Sequence, residues 1–129
     1  MKSHDKGIKV IDPMNQLSLF GYKNYFDSFI KIYKKNKLPN VFLLKGPRGM
    51  GKATFAFHFI NYLLSNNEEN KYLTSDLKIN QSNISYKLVT KETHPNFFLL
   101  QNNSLEENIK IDQVRNLLKF LNKSTFSRN

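Results

Sequence analysis

Apolar positions in this chain come in two patterns, helical spacing and short unbroken runs. Tyr25, Phe26, Phe29, Ile30 and Tyr33 fall at i, i+1, i+4, i+5 and i+8, which is one helical face. Asn24 is the predicted cap, and the helix is expected to run to about Lys37. Lys31, Lys34, Lys35 and Lys37 take the other side and the last turn, where cations suit the helix dipole. Leu38-Pro39-Asn40 is expected to stop it. Val41-Phe42-Leu43-Leu44 has no alternation, which predicts a strand buried on both faces. Residues 52 to about 65 read as a helix apolar almost all round, through Phe55, Ala56, Phe57, Phe59, Ile60, Leu63 and Leu64, and so buried between layers. Phe97-Phe98-Leu99-Leu100 predicts a second buried strand. Asp112 is the expected cap of a last helix, with Val114, Leu117, Leu118 and Leu121 on one face.

The remaining segments are less regular. Residues 1–14 are expected to form a loosely docked arm, and residues 17–21 a short apolar piece closed by Gly21. Residues 66–92 are polar and Asn-rich, and read as a long loop or weak helix. His94-Pro95-Asn96 is a turn, with His94 a turn residue rather than a base. Residues 101–107 form another polar loop. The whole predicts an α/β domain, a parallel sheet flanked by helices, over residues 15–129.

Composition narrows the chemistry. The chain has 129 residues, enough for one domain, and no Cys. That excludes a disulfide framework and a thiolate zinc site. His4, His58 and His94 are too far apart for a local metal motif. No run approaches the ~20 apolar residues of a membrane span. No apolar stretch follows the first six residues, so the cytoplasm is the expected compartment. The net charge is +10, but Lys outnumbers Arg by 17 to 3 and accompanies 17 Asn. Lys, Asn, Ile, Phe and Tyr share AT-rich codons, so much of this charge reflects coding bias. Base-reading surfaces favour the Arg fork, which is scarce here. A positive field would still attract phosphates.

One motif carries chemistry. Gly46, Pro47, Arg48, Gly49, Met50, Gly51, Lys52, Ala53 and Thr54 nearly match the phosphate loop G-x-x-x-x-G-K followed by Ser or Thr. Its glycines let backbone N–H groups converge on a phosphate. The helix it opens offers unpaired N–H groups and a positive dipole end. Lys52 adds a point charge against the outer phosphates. Chance supplies roughly 0.02 such sites in a chain of this composition. The competing reading is an ordinary Gly-rich turn with Lys52 in solvent. Ala53 stands where a hydroxyl normally holds Mg²⁺, and Thr54 lies about 100° further round the helix. Phosphate binding survives that change, whereas metal-assisted hydrolysis loses a ligand. No apolar strand ending in Asp-Glu is visible. Glu106-Glu107 and Glu68-Glu69 sit in polar loops and read as solvated, so no catalytic or metal-binding residue is assigned.

Leu17-Ser18-Leu19-Phe20-Gly21-Tyr22, then Lys37-Leu38-Pro39-Asn40, then the run from Val41 through the loop to Ala56 resemble the start of bacterial clamp-loader AAA+ subunits. The delta-prime type of DNA polymerase III is the most similar. His94-Pro95-Asn96-Phe97 and the block from Ile109 to Arg115 resemble later blocks in the same order. The similarity spans about residues 13–126, with residues 66–92 unmatched. Motor subunits of the tau/gamma type carry Lys-Thr in this loop and a four-Cys zinc module. Ala53 and the absence of Cys therefore favour delta-prime.

The resemblance implies a P-loop AAA+ fold in which residues 41–44 and 97–100 are non-adjacent strands of one parallel sheet. It also implies that the chain ends before the acidic metal-binding strand. It implies a subunit that helps load the sliding clamp on primed DNA, with tau/gamma and delta as partners and no membrane. ATP is the implied ligand, with Mg²⁺ coordination compromised by Ala53 and no zinc. Phe20 and Gly21 are the implied base pocket. The alternative is an active P-loop ATPase such as the tau/gamma motor subunit.

Overall fold

The computed structural model describes residues 12–46, 51–101 and 111–127, with side chains as far as residue 122. The chain divides into two compact units, Met1–Tyr86 and Lys87–Asn129. The elements are a 3-10 turn at Pro13–Asn15, α1 (Lys23–Lys34), α2 (Lys52–Leu64), α3 (Ile84–Thr90) and α4 (Ile111–Ser127). The expected arm at 1–14 falls mostly on residues outside the described ones. Its end is ordered locally, because the Asp12 carboxylate accepts from the Met14 N–H and starts the 3-10 turn.

In the first unit, α1 and α2 pack through an aromatic core. Phe26 is fully buried, and its ring lies 5.3–6.1 Å from those of Phe55, Phe59, Tyr62 and Tyr72. Edge-to-face contacts dominate, as the ring quadrupoles prefer. The α1 face is close to the one expected, except that Tyr25 points out. Asn24 lies within the helix, and Tyr22 occupies the capping position without a side-chain bond. The helix also ends sooner than expected. Asn36 adopts φ 58°, the Asn36 N–H donates to the Tyr33 carbonyl, and the Lys37 N–H donates to the Ile32 carbonyl. This is a Schellman ending, complete before Pro39 can act.

The segment 66–92 is far more structured than its composition suggests. Tyr72, Leu77 and Ile79 are core residues. Leu73 and Lys78 exchange two backbone hydrogen bonds, and the Leu19 N–H donates to Leu77 while the Ile79 N–H donates to Leu17. Glu68 reaches across to accept from the Ile84 and Ser85 N–H groups and the Ser85 hydroxyl, supplying the acceptors that open α3.

The expected parallel sheet is not seen among the described residues. These contain isolated antiparallel bridges only, Ser18 with Lys78 and Leu73 with Lys78. Residues 41–44 are irregular, and Val41 is 83% exposed and Leu43 79%. Residues 97–100 are likewise irregular. The physical reason is direct: an extended run becomes a strand only when a neighbour takes up its N–H and C=O groups, and neither run has a ladder partner here.

In the second unit, the turn at His94-Pro95-Asn96 forms as expected, with the Asn96 N–H donating to His94 Nδ1 at 3.0 Å. Asp112 is not a cap. It lies in the first turn of α4, where it approaches Arg115 at 3.6 Å, and the residues before Ile111 are outside the described ones. Val114, Leu118 and Leu121 are exposed, while the Phe98 and Phe120 rings meet at 5.2 Å.

Candidate functional site

Gly51 opens α2 from the left-handed region, at φ 80°. The positive φ favours glycine, and a Cβ there would make a tight 3.3 Å contact with Cε2 of Tyr22. Lys52 follows as the first helical residue. Its ammonium donates to the Gly46 carbonyl. Pro47, Arg48, Gly49 and Met50 lie outside the described residues. Ala53 is exposed and Thr54 half-buried on the first turn of the helix.

A cavity of about 620 Å³ opens beside this turn. Gly46 and Lys52 form one side. Phe20, Gly21, Tyr22 and Tyr25 form the other, and Phe29, Leu43, Leu44 and Phe55 also line it. Gly46 and Lys52, of the residues named for the loop, thus border one space with the 20–21 pair despite lying some thirty positions away. Phe20 is 78% exposed, presenting a ring face rather than burying it. Gly21 at φ 81° turns the chain from that rim into Tyr22, whose ring packs edge-on against Phe55 at 5.5 Å. The cavity combines aromatic faces, a cation and a helix start, a set suited to a ligand with a flat ring and an anionic tail.

Behind the cavity lies a polar cluster that periodicity did not single out. His58 is fully buried on α2. Its Nε2 lies 2.8 Å from the Gln16 carbonyl and its Nδ1 2.7 Å from the Tyr72 hydroxyl. A carbonyl only accepts, so Nε2 carries the proton and Tyr72 donates to Nδ1. Burial pushes the imidazole below its ordinary pKa, against a smaller upward pull from the Gln16 carbonyl. Burial likewise pushes the Tyr72 phenol up. One turn on, the Asn61 and Asn83 amides pair reciprocally at 3.1 and 2.8 Å, and Ser65 bridges Asn61 to the Tyr72 N–H. These residues are spaced irregularly along the chain, and only their buried partners reveal them.

Among the described residues no cluster of His, Asp and Glu could hold a metal ion, and no helix is long and apolar enough to cross a membrane.

The chain is 33% identical over 82 residues to DNA polymerase III subunit delta' of Pseudomonas aeruginosa, an alignment covering 64% of this chain and 23% of that protein. The chain thus matches about a quarter of the length of this curated relative. No solved structure matches. A family model described as DNA polymerase III, delta subunit, matches residues 21–129, from the glycine at the cavity rim to the last residue, and the chain belongs to that family as a delta-prime-like member.

Proposed function

We propose that this chain is the nucleotide-binding part of a delta-prime-like clamp-loader subunit, in which the cavity between residues 20–25 and the loop at 46–54 takes ATP. The observation that carries this reading is the convergence on one cavity of Lys52, Gly46 and the aromatic rim of Phe20 and Tyr25. The phosphates would lie at the start of α2, displacing the Gly46 carbonyl from the Lys52 ammonium, and the base would lie against the rim. Gly49 and its neighbours would supply further backbone donors.

The role is structural rather than hydrolytic. Ala53 offers no oxygen for Mg²⁺, which argues against the alternative of an active tau/gamma-type ATPase. The partners in this reading are the tau/gamma and delta subunits, with the sliding clamp and primed DNA reached through the complex, in the cytoplasm. Residues 41–44 and 97–100 would enter the parallel AAA+ sheet once neighbouring strands take up their backbone groups. No zinc is involved.

Equilibrium binding of fluorescently labelled ATP to the full chain, beside Lys52→Ala, tests the proposal. Binding that is lost or weakened at least tenfold in the variant, and is insensitive to Mg²⁺, is expected. Equal binding by both proteins at millimolar nucleotide overturns it.

A further inference from the structure

The wall formed by Phe20, Gly21 and Tyr22 has no regular secondary structure of its own, so something must hold it. Three attachments lie just before it. The Leu17–Leu19 stretch exchanges two backbone bonds with Leu77 and Ile79, at 3.0 and 2.9 Å. The Leu19 side chain is buried in the core. The third attachment is His58, whose Nε2–H holds the Gln16 carbonyl while Nδ1 accepts from Tyr72. This third one is a polar tie, beside the ring contact of Tyr22 with Phe55. It ties the segment to α2, the same helix whose first residue, Lys52, forms the opposite side of the cavity. Rim and loop are thereby referenced to one rigid element.

The surroundings show why a histidine serves here. A ring packs edge-on against Tyr72 at 5.5 Å, and imidazole also brings a donor and an acceptor on separate ring nitrogens. Both are used, so the ring orientation is fixed from two sides. No buried side-chain nitrogen or oxygen among the described residues lacks a partner, so an apolar replacement would strand both the Gln16 carbonyl and the Tyr72 hydroxyl.

We propose that His58 is a positioning residue for the cavity: by bridging the Tyr72 hydroxyl to the Gln16 carbonyl it sets the place of the Phe20–Tyr22 wall relative to Lys52, and so tunes nucleotide affinity without touching the ligand. The proposal rests on reading the cavity as a nucleotide site, and its test separates the two.

The full chain is compared with His58→Phe, His58→Gln and Tyr72→Phe by labelled-ATP binding and by amide hydrogen exchange. The Leu19 and Ile79 amides report the wall segment, and the Phe55 and Ser65 amides report α2. His58→Phe is expected to weaken binding about tenfold and to accelerate exchange at Leu19 and Ile79 but not at Phe55 or Ser65. His58→Gln, with a donor and an acceptor on one amide, is expected to recover most of both. Tyr72→Phe keeps the ring packing, and is expected to give a smaller shift in the same direction.

Should His58→Phe fail to fold, Tyr72→Phe decides. Unchanged affinity and unchanged exchange at Leu19 in that variant overturn the proposal. So does acceleration spread evenly over all four amides in either variant, which marks plain destabilisation. If the wild-type chain binds no nucleotide, the ligand reading fails, and confined acceleration at Leu19 and Ile79 still establishes His58 as the residue that places the wall.

Discussion

A buried imidazole bonded at both edges is sensitive to protonation. Below its ordinary pKa of about 6.5 the unfolded chain takes up a proton at His58, while the folded chain, whose imidazole is held lower by burial, does not. The unfolded state then binds more protons, and stability falls. The contribution is complete above about pH 6.5 and declines as the pH drops toward the lower folded value. Tyr72 acts oppositely at the alkaline end, since its phenol stays protonated in the fold after the unfolded chain has ionised above about pH 10. Thermal melts between pH 5 and 8 are expected to show this acid-side loss in the wild type. The loss should be much smaller in His58→Gln, which has no titrating ring. An equal slope in both would assign the loss to other groups.

At the scale of elements, α2 depends on its irregular partner segment as much as on its own sequence. The Asn61–Asn83 pair, with Ser65 beside it, fastens residues 66–86 to the helix. Asn83→Ala would take from the Asn61 amide the acceptor of its N–H and a donor to its Oδ1. A loss of about 2–3 kcal/mol in denaturant unfolding is expected, since each stranded buried group costs about 1–3 kcal/mol. Asn61→Ala and the double variant should cost little more than Asn83→Ala, because the two amides act as one unit.

The sequence made α1 and α2 legible because aromatic residues recur there at helical spacing, and the Gly-Lys loop because its chemistry tolerates few residue types. It did not show that 66–92 is ordered. Tyr72, Leu77 and Ile79 enter the core singly, among polar neighbours, without a period to betray them. At the end of α1 and the start of α4 the difference from the sequence pattern has a local reason. Asn36 tolerates the left-handed conformation that closes a helix, and Asp112 suits a first turn as well as a cap. The unbroken runs at 41–44 and 97–100 predict strands that are not seen among the described residues, since strand formation depends on neighbours that a run does not encode. At the cavity, Phe20 and Lys52 were legible from motif and resemblance. Tyr22 stands in the sequence only as part of a resemblance block, Tyr25 only on a helical face, and His58 only as a residue outside any local metal motif.

For the whole molecule, the exposed apolar runs set the behaviour in solution. Val41, Leu43, Leu118 and Leu121 all stand open to water, and the first two lie in an irregular stretch that joins no strand among the described residues. The 129-residue chain is expected to self-associate as its concentration rises, despite a net charge of +10 that opposes it. Light scattering across a concentration series measures this. A monomer at all concentrations, with one cooperative melting transition and well-dispersed amide signals, would contradict it.

The ring of Phe20, standing outward at the cavity mouth, has a practical corollary. The chain contains no Trp, so Phe20→Trp would install a single indole there, excitable at wavelengths where the six tyrosines are silent. Its emission colour would report directly whether that mouth is wet or filled.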